Sequence, residues 1–435
     1  MTWRTEVPER SPKMTRFPLR ALTAVVLAAH AFGLTPCRAE RPLQYVPLDA
    51  PEGMSQAVIV HGVPLVHTRQ LLPVDAAGRL VGENSTDEQI EQALSNLDAV
   101  LKDAGSGLNQ LVRLHVYALA PPTIVRVREL LGKRLDPSVR PAITSVLTPL
   151  PLGGAVVALD AVAAGPDGGP DGGPDGGPDG GPDGGPGVML TRTEAVAGTE
   201  NCADAAVLPA GGIAYLSGVP DEGGLTESAV VRAMSTLMRL LAHLELGPEH
   251  VVHVKVFLRP VTSANEVLRE LHAFFPDRMT PPVVFVEWLA SVPIEIELVA
   301  QLPPSVAAGE PVEYFTPPEV RPHHVFSRVA LMRADRQIYI SSQYAREPSR
   351  GEPQAIHVFD QLQEILDKTG SDMRHLVKAT YYTADHDAAR WVDRVRPGRF
   401  DPERPPAASK VMVHAVGMDG RTLSVDMIAV ASGGR

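Results

Sequence analysis

Three windows of 25 residues align with one another without a gap, and this repetition constrains the fold more than any other feature. The first window has apolar residues at Leu97, Val100, Leu101 and Ala104. The other two windows also have apolar residues at these four positions, except that a threonine aligns with Ala104 in the third window. Offsets of 3, 4 and 7 place them on one helix face, and a glycine-containing break and a β-branched run follow. Each window predicts a helix, a turn and a strand, and the windows are ALSNLDAVLKDAGSGLNQLVRLHVY (93–117), AMSTLMRLLAHLELGPEHVVHVKVF (233–257) and VFDQLQEILDKTGSDMRHLVKATYY (358–382).

The segments around each window repeat as well. AVIVHGVPLVH, AAVLPAGGIAYLSG and VALMRADRQIYISS precede the windows, and each predicts a β-hairpin of two apolar runs around a turn. A second helix and an alternating strand complete each unit, as in Ile294, Ile296 and Leu298 against Glu295 and Glu297. Two helices cover only one face of such a sheet, so we expect the bare faces of three units to pack together. The sequence thus predicts an α+β fold of three tandem domains, arranged as an intramolecular pseudo-trimer in a self-contained, monomeric chain.

Composition divides the chain into five parts. Arg16 and Arg20 precede the apolar run ALTAVVLAAHAFGL, so residues 1–39 have the pattern of a signal peptide cleaved after Ala39. The run is too short for a stable membrane span, and a misassigned start, with Met14 as the true one, or a short anchor are the alternatives. The chain would be exported if the signal peptide is used and cytoplasmic otherwise. The other parts are repeat 1 at 43–164, a flexible PDGG linker at 165–187, repeat 2 at 188–306 and repeat 3 at 307–435.

Charge and cysteine content exclude several kinds of partner. The net charge is −11 and few of the 40 basic residues are lysine, so a nucleic-acid partner is not expected. With the leader removed, Cys202 is the single cysteine, which excludes an intrachain disulfide and a cysteine metal site. His323 and His324 have no third ligand at metal spacing and predict a solvated loop. We therefore expect no metal and no cofactor, and a small-molecule metabolite as the possible partner.

Taken together, several motifs resemble those of the RidA family, also called YjgF or endoribonuclease L-PSP. They are LVHTRQLLPVDAAGRLVG, YLSGVP and YISSQ, and the closing segments RPAITSVLTPLPLGGAVVALDAVA, TPPVVFVEWLASVPIEIELVA and PPAASKVMVHAVGMDGRTLSVDMIAV. The resemblance implies a chorismate-mutase-like fold, which family members assemble as homotrimers of single domains. It also implies hydrolytic deamination of enamines and imines such as 2-iminobutanoate and 2-iminopropanoate.

This resemblance also implies a site, from which the chain departs. A family arginine that binds the substrate carboxylate falls on Ile143, Val283 and Ala408, so it is absent from all three repeats. A family glutamate that helps to place water falls on Glu295 in repeat 2 and on Ala158 and Ser424 elsewhere. The resemblance therefore implies a weak or non-catalytic member that binds a small metabolite. The alternative is an active hydrolase that uses one remodelled cleft near Glu295, and ribonuclease action fits the acidic charge poorly.

The hairpin Ser-Gly of the family falls on Arg69-Gln70, Ser217-Gly218 and Ser341-Ser342. Arg69, Arg140 and Lys410 are candidate replacement cations, although Arg140 would point to the other sheet face. The alternative for Arg69 is a position on the surface or in an inter-repeat salt bridge. For Glu295, the alternative to catalysis is a structural role in which its carboxylate pairs with a residue across a repeat interface. The histidines His67, His115, His253 and His375 are expected to pack in the core. The candidate cleft residues are Ser217, Gly218, Arg69, Thr144, Ser342, Ser409 and Lys410.

Overall fold

The repeated helix–turn–strand pattern gives three β-sheets with α-helices against one face of each. The computed structural model describes residue 2 and residues 41–166, 187–199, 201–221, 223–224, 227–303, 309–318 and 322–432. The predicted signal peptide, apart from residue 2, and the linker between 167 and 186 lie outside these residues. Within this part of the chain, no helix is long and apolar enough to cross a membrane.

The elements of the three repeats correspond in order. Repeat 1 forms β1 (Leu43–Val46), β2 (Ala57–His61), β3 (Leu65–Thr68), α1 (Thr86–Asp103), β4 (Leu111–Ala118), α2 (Pro121–Gly132), β5 (Ala142–Leu147) and β6 (Val157–Ala164). Repeat 2 forms β7 (Met189–Thr191), β8 (Ala205–Leu208), β9 (Gly212–Pro220), α3 (Ala229–His243), β10 (Val251–Leu258), α4 (Ala264–His272), β11 (Val283–Glu287) and β12 (Ile294–Leu302). Repeat 3 forms β13 (Val312–Phe315), β14 (Val329–Met332), β15 (Arg336–Gln343), α5 (Gly351–Thr369), β16 (Leu376–Thr383), α6 (His386–Val395), β17 (Ala407–Met412), β18 (Ala415–Val416) and β19 (Leu423–Val430).

Local sequence explains where the helices begin and end. Helix α1 begins after Ser85, whose hydroxyl accepts a hydrogen bond from the Glu88 amide at 3.2 Å. Helix α5 ends at Gly370, which has the left-handed φ of 75° that favours glycine. The helices lie within or overlap the three sequence windows that predict them. The predicted α+β fold class is confirmed.

The predicted hairpins are wrong, because the two strands of each one lie in different sheets. The strand orders are β1-β2-β15-β19-β16-β17, β11-β10-β12-β9-β14-β13 and β18-β5-β4-β6-β3-β8-β7. Strand β2 pairs with β15 of repeat 3, β8 of repeat 2 pairs with β3, and β14 of repeat 3 pairs with β9. Each repeat thus gives its first two strands to a neighbouring sheet, which satisfies backbone groups that an exposed sheet edge would leave unpaired. These exchanges link the three sheets in a closed ring.

Five apolar clusters fill the ring. Three of them lie between a sheet and its helices, around Leu97, Leu237 and Leu362. The other two lie where the inner faces of the three sheets meet, one around Tyr215 and Tyr339 and the other rich in aromatic side chains. The faces that the helices leave bare are therefore buried against one another, as the sequence predicts. The predicted domain boundaries remain a prediction.

Candidate functional site

Three matching backbone hydrogen bonds mark equivalent places at the three repeat boundaries. Ser217 donates its amide to Arg328 O, Ser341 donates to Gln56 O, and Arg69 donates to Asp204 O, each at 2.9 Å. We call these places boundary 2–3, boundary 1–3 and boundary 1–2, after the repeats that meet there. Most of the predicted cleft residues lie at them, but each boundary is occupied differently.

At boundary 2–3, a hydroxyl and a carboxyl hold the two repeats together. Ser217 Oγ donates to Ser327 O at 2.6 Å and accepts from the Ala408 amide at 2.7 Å. The Glu295 carboxyl lies against Gly218 and Ser409, so that a Cβ on Gly218 would overlap it. Burial, and then the nearby Glu297 carboxylate, raise the pKa of Glu295 to about 8. Glu295 is thus a carboxylic acid that holds a proton at neutral pH.

An ion pair fills boundary 1–2. Arg69 Nε donates to Asp204 Oδ1 at 2.5 Å, and its two terminal nitrogens donate to Gln70 O and Ala197 O at 3.1 and 2.8 Å. The Asp204 side chain is fully buried and that of Arg69 is 10% exposed. The structure therefore places Arg69 in an inter-repeat salt bridge, with its guanidinium already engaged.

Boundary 1–3 holds an open cavity of about 370 Å³. Ser341 Oγ donates to Ser55 O at 2.5 Å and accepts from the Ile143 amide at 2.9 Å, as Ser217 does at its own boundary. Ile143 and Ser342 line the cavity, and its volume is within the range of small-molecule sites. The cavity is also lined by Asp49, Pro51, Met54, Ile124, Val125, Arg128, Ser145, Tyr344, Arg346, Met418 and Asp419.

Buried hydroxyls surround the inner end of this boundary. Ser342 and Ser424 lie beside the hydroxyl of Tyr344, which donates to Ser145 O at 3.2 Å. Ser342 Oγ, Ser424 Oγ and Thr144 Oγ1 are nevertheless buried without a hydrogen bond of normal geometry among the described residues. Boundary 1–3 therefore offers unused hydrogen-bonding capacity where boundary 2–3 has Glu295.

The remaining candidate residues lie apart from an open cleft. Lys410 pairs with Asp393 of α6 and thus lies on the helix side of its sheet. Ser409, the residue before Lys410 in the same strand, contacts Glu297 on the inner face of the sheet. His323 stacks on His324 with ring centroids 4.8 Å apart. The structure thus brings Ser409 to the interior and leaves Lys410 outside it.

A charged layer between the two inner apolar clusters escaped the sequence analysis. Lys378 Nζ donates to Glu297 Oε2 at 2.6 Å across the boundary between repeats 3 and 2. Arg113 Nη1 lies 3.8 Å from Asp426 Oδ1 across the boundary between repeats 1 and 3. A cavity of about 60 Å³ lies among these groups and is also lined by His67, His115, Asp160, His253 and Lys255.

Burial and neighbouring charges shift the pKa values of several groups in this layer. His115 Nδ1 lies 2.8 Å from Asp160 Oδ2. Burial would raise the pKa of Asp160, but the interactions with His115, Lys255 and His253 together outweigh burial, and the pKa falls to about 2. Burial lowers the pKa of His67 to about 3 and that of His253 to about 4. His67, His115 and His253 line the cavity in this charged layer. His375 lies elsewhere and pairs with Asp372 at 2.7 Å. The signal in the sequence was a pair of polar residues two positions apart within each of β4, β10 and β16, namely Arg113 and His115, His253 and Lys255, and Lys378 and Thr380.

Comparison with known proteins identifies the family. Residues 48–164 and 318–431, more than half of the chain, match the family described as Endoribonuclease L-PSP. The chain belongs to the endoribonuclease L-PSP family. The matched segments lie in repeats 1 and 3, and repeat 2 lies outside them. No curated protein matches the chain.

Solved structures that are similar to part of the chain include RidA/YjgF proteins. A Rid-family protein of unknown function from Yersinia pestis is 26% identical and aligns over 28% of this chain and 99% of its own, with a TM-score of 0.25. A YjgF-family protein from Neisseria meningitidis is 21% identical over 28% of this chain and 97% of its own, with a TM-score of 0.22. RidA from the Antarctic bacterium Psychrobacter is 24% identical over 22% of this chain and 80% of its own, with a TM-score of 0.21.

The three positions to which the sequence resemblance assigns the family arginine are buried at the three boundaries. Ile143 is 3% exposed, Val283 is 4% exposed and Ala408 is 8% exposed. The backbone amides of Ile143 and Ala408 donate hydrogen bonds to serine hydroxyls of the neighbouring repeat. The carbonyl oxygen of Val283 accepts a hydrogen bond from the Gln70 amide at 3.1 Å. Each position thus contributes backbone hydrogen bonds and an apolar side chain to its boundary.

Proposed function

We propose that this protein is a RidA-like member that binds a small metabolite and hydrolyses 2-iminobutanoate and 2-iminopropanoate weakly or not at all. The observation that carries the proposal is the apolar, buried character of Ile143, Val283 and Ala408. A carboxylate placed against them would lose its water and find no side-chain donor there in return.

The cavity at boundary 1–3 is the place where we propose that the metabolite binds. Its volume of about 370 Å³ would accommodate a ligand of a few carbons with its polar groups. The Arg69–Asp204 pair occupies the equivalent place at boundary 1–2, and the Glu295 carboxyl occupies it at boundary 2–3.

Hydrolysis of freshly generated 2-iminobutanoate by the purified protein tests this proposal. A family member that has the arginine serves as the reference under the same conditions. We expect the rate to be more than tenfold lower than that of the reference, which corresponds to about 1.4 kcal/mol of lost transition-state stabilisation. Turnover within a factor of ten of the reference would refute the proposal.

The second candidate function is an imine or enamine hydrolase at boundary 2–3. A specific observation favours it: Glu295 lies beside Ser409 and Gly218, with a pKa raised to about 8 by burial and by Glu297. Such a group can donate or accept a proton near neutral pH. If this candidate holds, Glu295→Gln abolishes hydrolysis and Ala408→Arg, which restores an arginine beside Glu295, increases it. Ile143→Arg is the matched control, because Ser424 stands there in place of the glutamate.

We also propose that the chain is exported as a monomer after cleavage behind Ala39. The charged and apolar pattern of residues 1–39 and the closed ring of exchanged strands support this. N-terminal sequencing of the protein recovered outside the cytoplasm should begin at Glu40. Light scattering should give the mass of one chain, and an uncleaved cytoplasmic protein or a larger mass would contradict the proposal.

A further inference from the structure

Arg128 of helix α2 lies where two hollows of the surface meet. It lines the cavity of about 370 Å³ at boundary 1–3. It also lines a more open groove of about 710 Å³ along α2, and the exposed Lys133 and Arg140 line that groove too. Pro51 and Val125 are likewise shared by both hollows, so the groove leads into the cavity past the Arg128 guanidinium.

Two other arginines near the cavity already have carboxylate partners. Arg346 lies 3.1 Å from both Asp49 and Glu364, and Arg126, two residues before Arg128, pairs with Asp87 and Glu129 at 2.7 Å. These pairs neutralise both guanidinium groups and hold them in place.

Arg128 differs, because it forms no ion pair among the described residues. Its Nη1 contacts Met54 Sδ at 3.8 Å, which is a weak acceptor, and its Nε is buried without a hydrogen-bond partner. Most buried guanidinium nitrogens in proteins are hydrogen-bonded, so Arg128 keeps hydrogen-bonding capacity that the described residues do not use.

The rest of the cavity wall is mixed: it has an apolar part, and its polar part includes the carboxylates of Asp49, which pairs with Arg346, and Asp419. Ile124, Ile143 and Met418 are apolar, and Ser342 Oγ is the second buried lining atom without a hydrogen bond. A guanidinium at one end and an apolar wall beyond it define the shape of the ligand. An anionic group would lie on Arg128, and a short hydrocarbon portion would lie against Ile143.

We propose that Arg128 binds the anionic group, a carboxylate or a phosphate monoester, of the metabolite in this cavity, an inference that rests on the proposed function. The paired donors of a guanidinium match the oxygens of either group, and Arg128 is partly buried where it lines the cavity. The anion is thus bound by a helix residue of repeat 1, away from the strand position at which Ile143 stands.

Calorimetric titration of the intact protein at low salt tests the inference with three probes of similar shape. These are 4-methylpentanoate, its neutral amide 4-methylpentanamide, and isobutyl phosphate. We expect at least one anionic probe to bind tenfold or more tightly than the amide, and the tighter anion identifies the head group. Arg128→Met should remove this preference, whereas Arg126→Met on the same helix should keep it.

Two results would overturn the inference while leaving the proposed function intact. One is equal affinity of the wild type for the amide and both anions, and the other is an unchanged preference in Arg128→Met. Binding of none of the three probes would overturn both proposals. Should Arg128→Met fail to fold, as judged by circular dichroism, Arg128→Lys replaces it. That variant keeps the charge without the paired donors, and a carboxylate affinity equal to that of the wild type would count against the inference.

Discussion

At the scale of single residues, the residue at one position in each hairpin segment determines what occupies the neighbouring boundary. Gly218 leaves room for the Glu295 carboxyl, Arg69 fills its boundary with an ion pair, and Ser342 leaves a cavity open. One matching backbone hydrogen bond, donated by Arg69 or by the residue before Gly218 or Ser342, measures 2.9 Å at each boundary. The fold therefore supplies three equivalent frames, and substitution within each frame gives it its own chemistry.

Replacing Gly218 with alanine should destabilise the protein, because the new methyl group overlaps the Glu295 carboxyl and crowds Ser409. Forced overpacking of this kind costs about 1–3 kcal/mol. Chemical denaturation of Gly218→Ala measures the effect. The double variant Gly218→Ala/Glu295→Ala should recover most of the loss, and equal destabilisation in both variants would contradict the steric explanation.

The raised pKa of Glu295 should make stability depend on pH. Because its pKa is about 8 in the folded protein and 4.5 ordinarily, the native state keeps a proton that the unfolded chain has released between these values. This contribution is fully present below pH 4.5 and is lost as pH rises through 8. The free energy of unfolding should therefore fall between pH 5 and 8.5 by up to a few kcal/mol more in the wild type than in Glu295→Gln.

Urea denaturation at the two pH values provides this measurement. Glu266→Gln is the control, because Glu266 is an exposed glutamate of helix α4 and its loss should leave the pH profile unchanged. Parallel pH profiles for the wild type and Glu295→Gln would show that the Glu295 carboxyl is ionised in the folded protein.

At the scale of elements, local patterns predicted the helices and the strands that follow them, but not strand pairing. The apolar period of 3.6 residues is visible within α1, and β4 follows it as expected. The turn at His61-Gly62 has the same local chemistry whether its strands pair with each other or with neighbours. Gly62 in fact donates its amide to Asp335 O of another repeat at 2.9 Å, a partner far away in the sequence.

The candidate site was predictable to a similar extent. Alternation along β12 placed Glu295 and Glu297 on the inner face, away from the helices, and the structure agrees. The partner of Glu297 is Lys378, 81 residues away, and no local pattern indicates which cation reaches it. The cavity at boundary 1–3 depends on loop and helix residues such as Met54 and Arg128, whose approach to Ile143 follows only from tertiary packing.

Breaking the Lys378–Glu297 pair should strongly destabilise the contact between β16 and β12. Lys378 is 6% exposed and Glu297 is 8% exposed, so Lys378→Met leaves a buried carboxylate without its cation. Such changes cost about 3–5 kcal/mol, and the double variant with Glu297→Gln should recover part of the loss. Chemical denaturation measures both variants.

The matched control for this pair is Lys368→Met, which removes an exposed partner of Glu364 on α5. Surface ion pairs contribute little, so stability should barely change. Equal effects of Lys368→Met and Lys378→Met would contradict a special role for the charged layer.

At the scale of the whole molecule, exchanged strands make each repeat depend on its neighbours. Repeat 1 completes its sheet with β7 and β8 of repeat 2, and it gives β1 and β2 to the sheet of repeat 3. An isolated repeat would therefore lack two strands of its sheet and would expose the apolar inner face. Cooperative unfolding of residues 42–435 as one unit follows from this arrangement.

Cutting the chain in the PDGG linker should leave the two pieces associated. A protease site placed between residues 167 and 186 would separate repeat 1 covalently from repeats 2 and 3. Pairing of β3 with β8 and of β2 with β15 should nevertheless hold the pieces together. Size-exclusion chromatography after cleavage should show a single peak at the original volume, and separate peaks would mean that the linker is needed for assembly.

Joining the three units in one chain also changes how the protein can evolve. In a symmetric oligomer of identical subunits, any mutation appears at every interface at once. Here a mutation of Arg69, Gly218 or Ser342 alters one boundary and spares the other two. One junction can thus acquire a new ligand while its counterparts are kept purely for structural integrity.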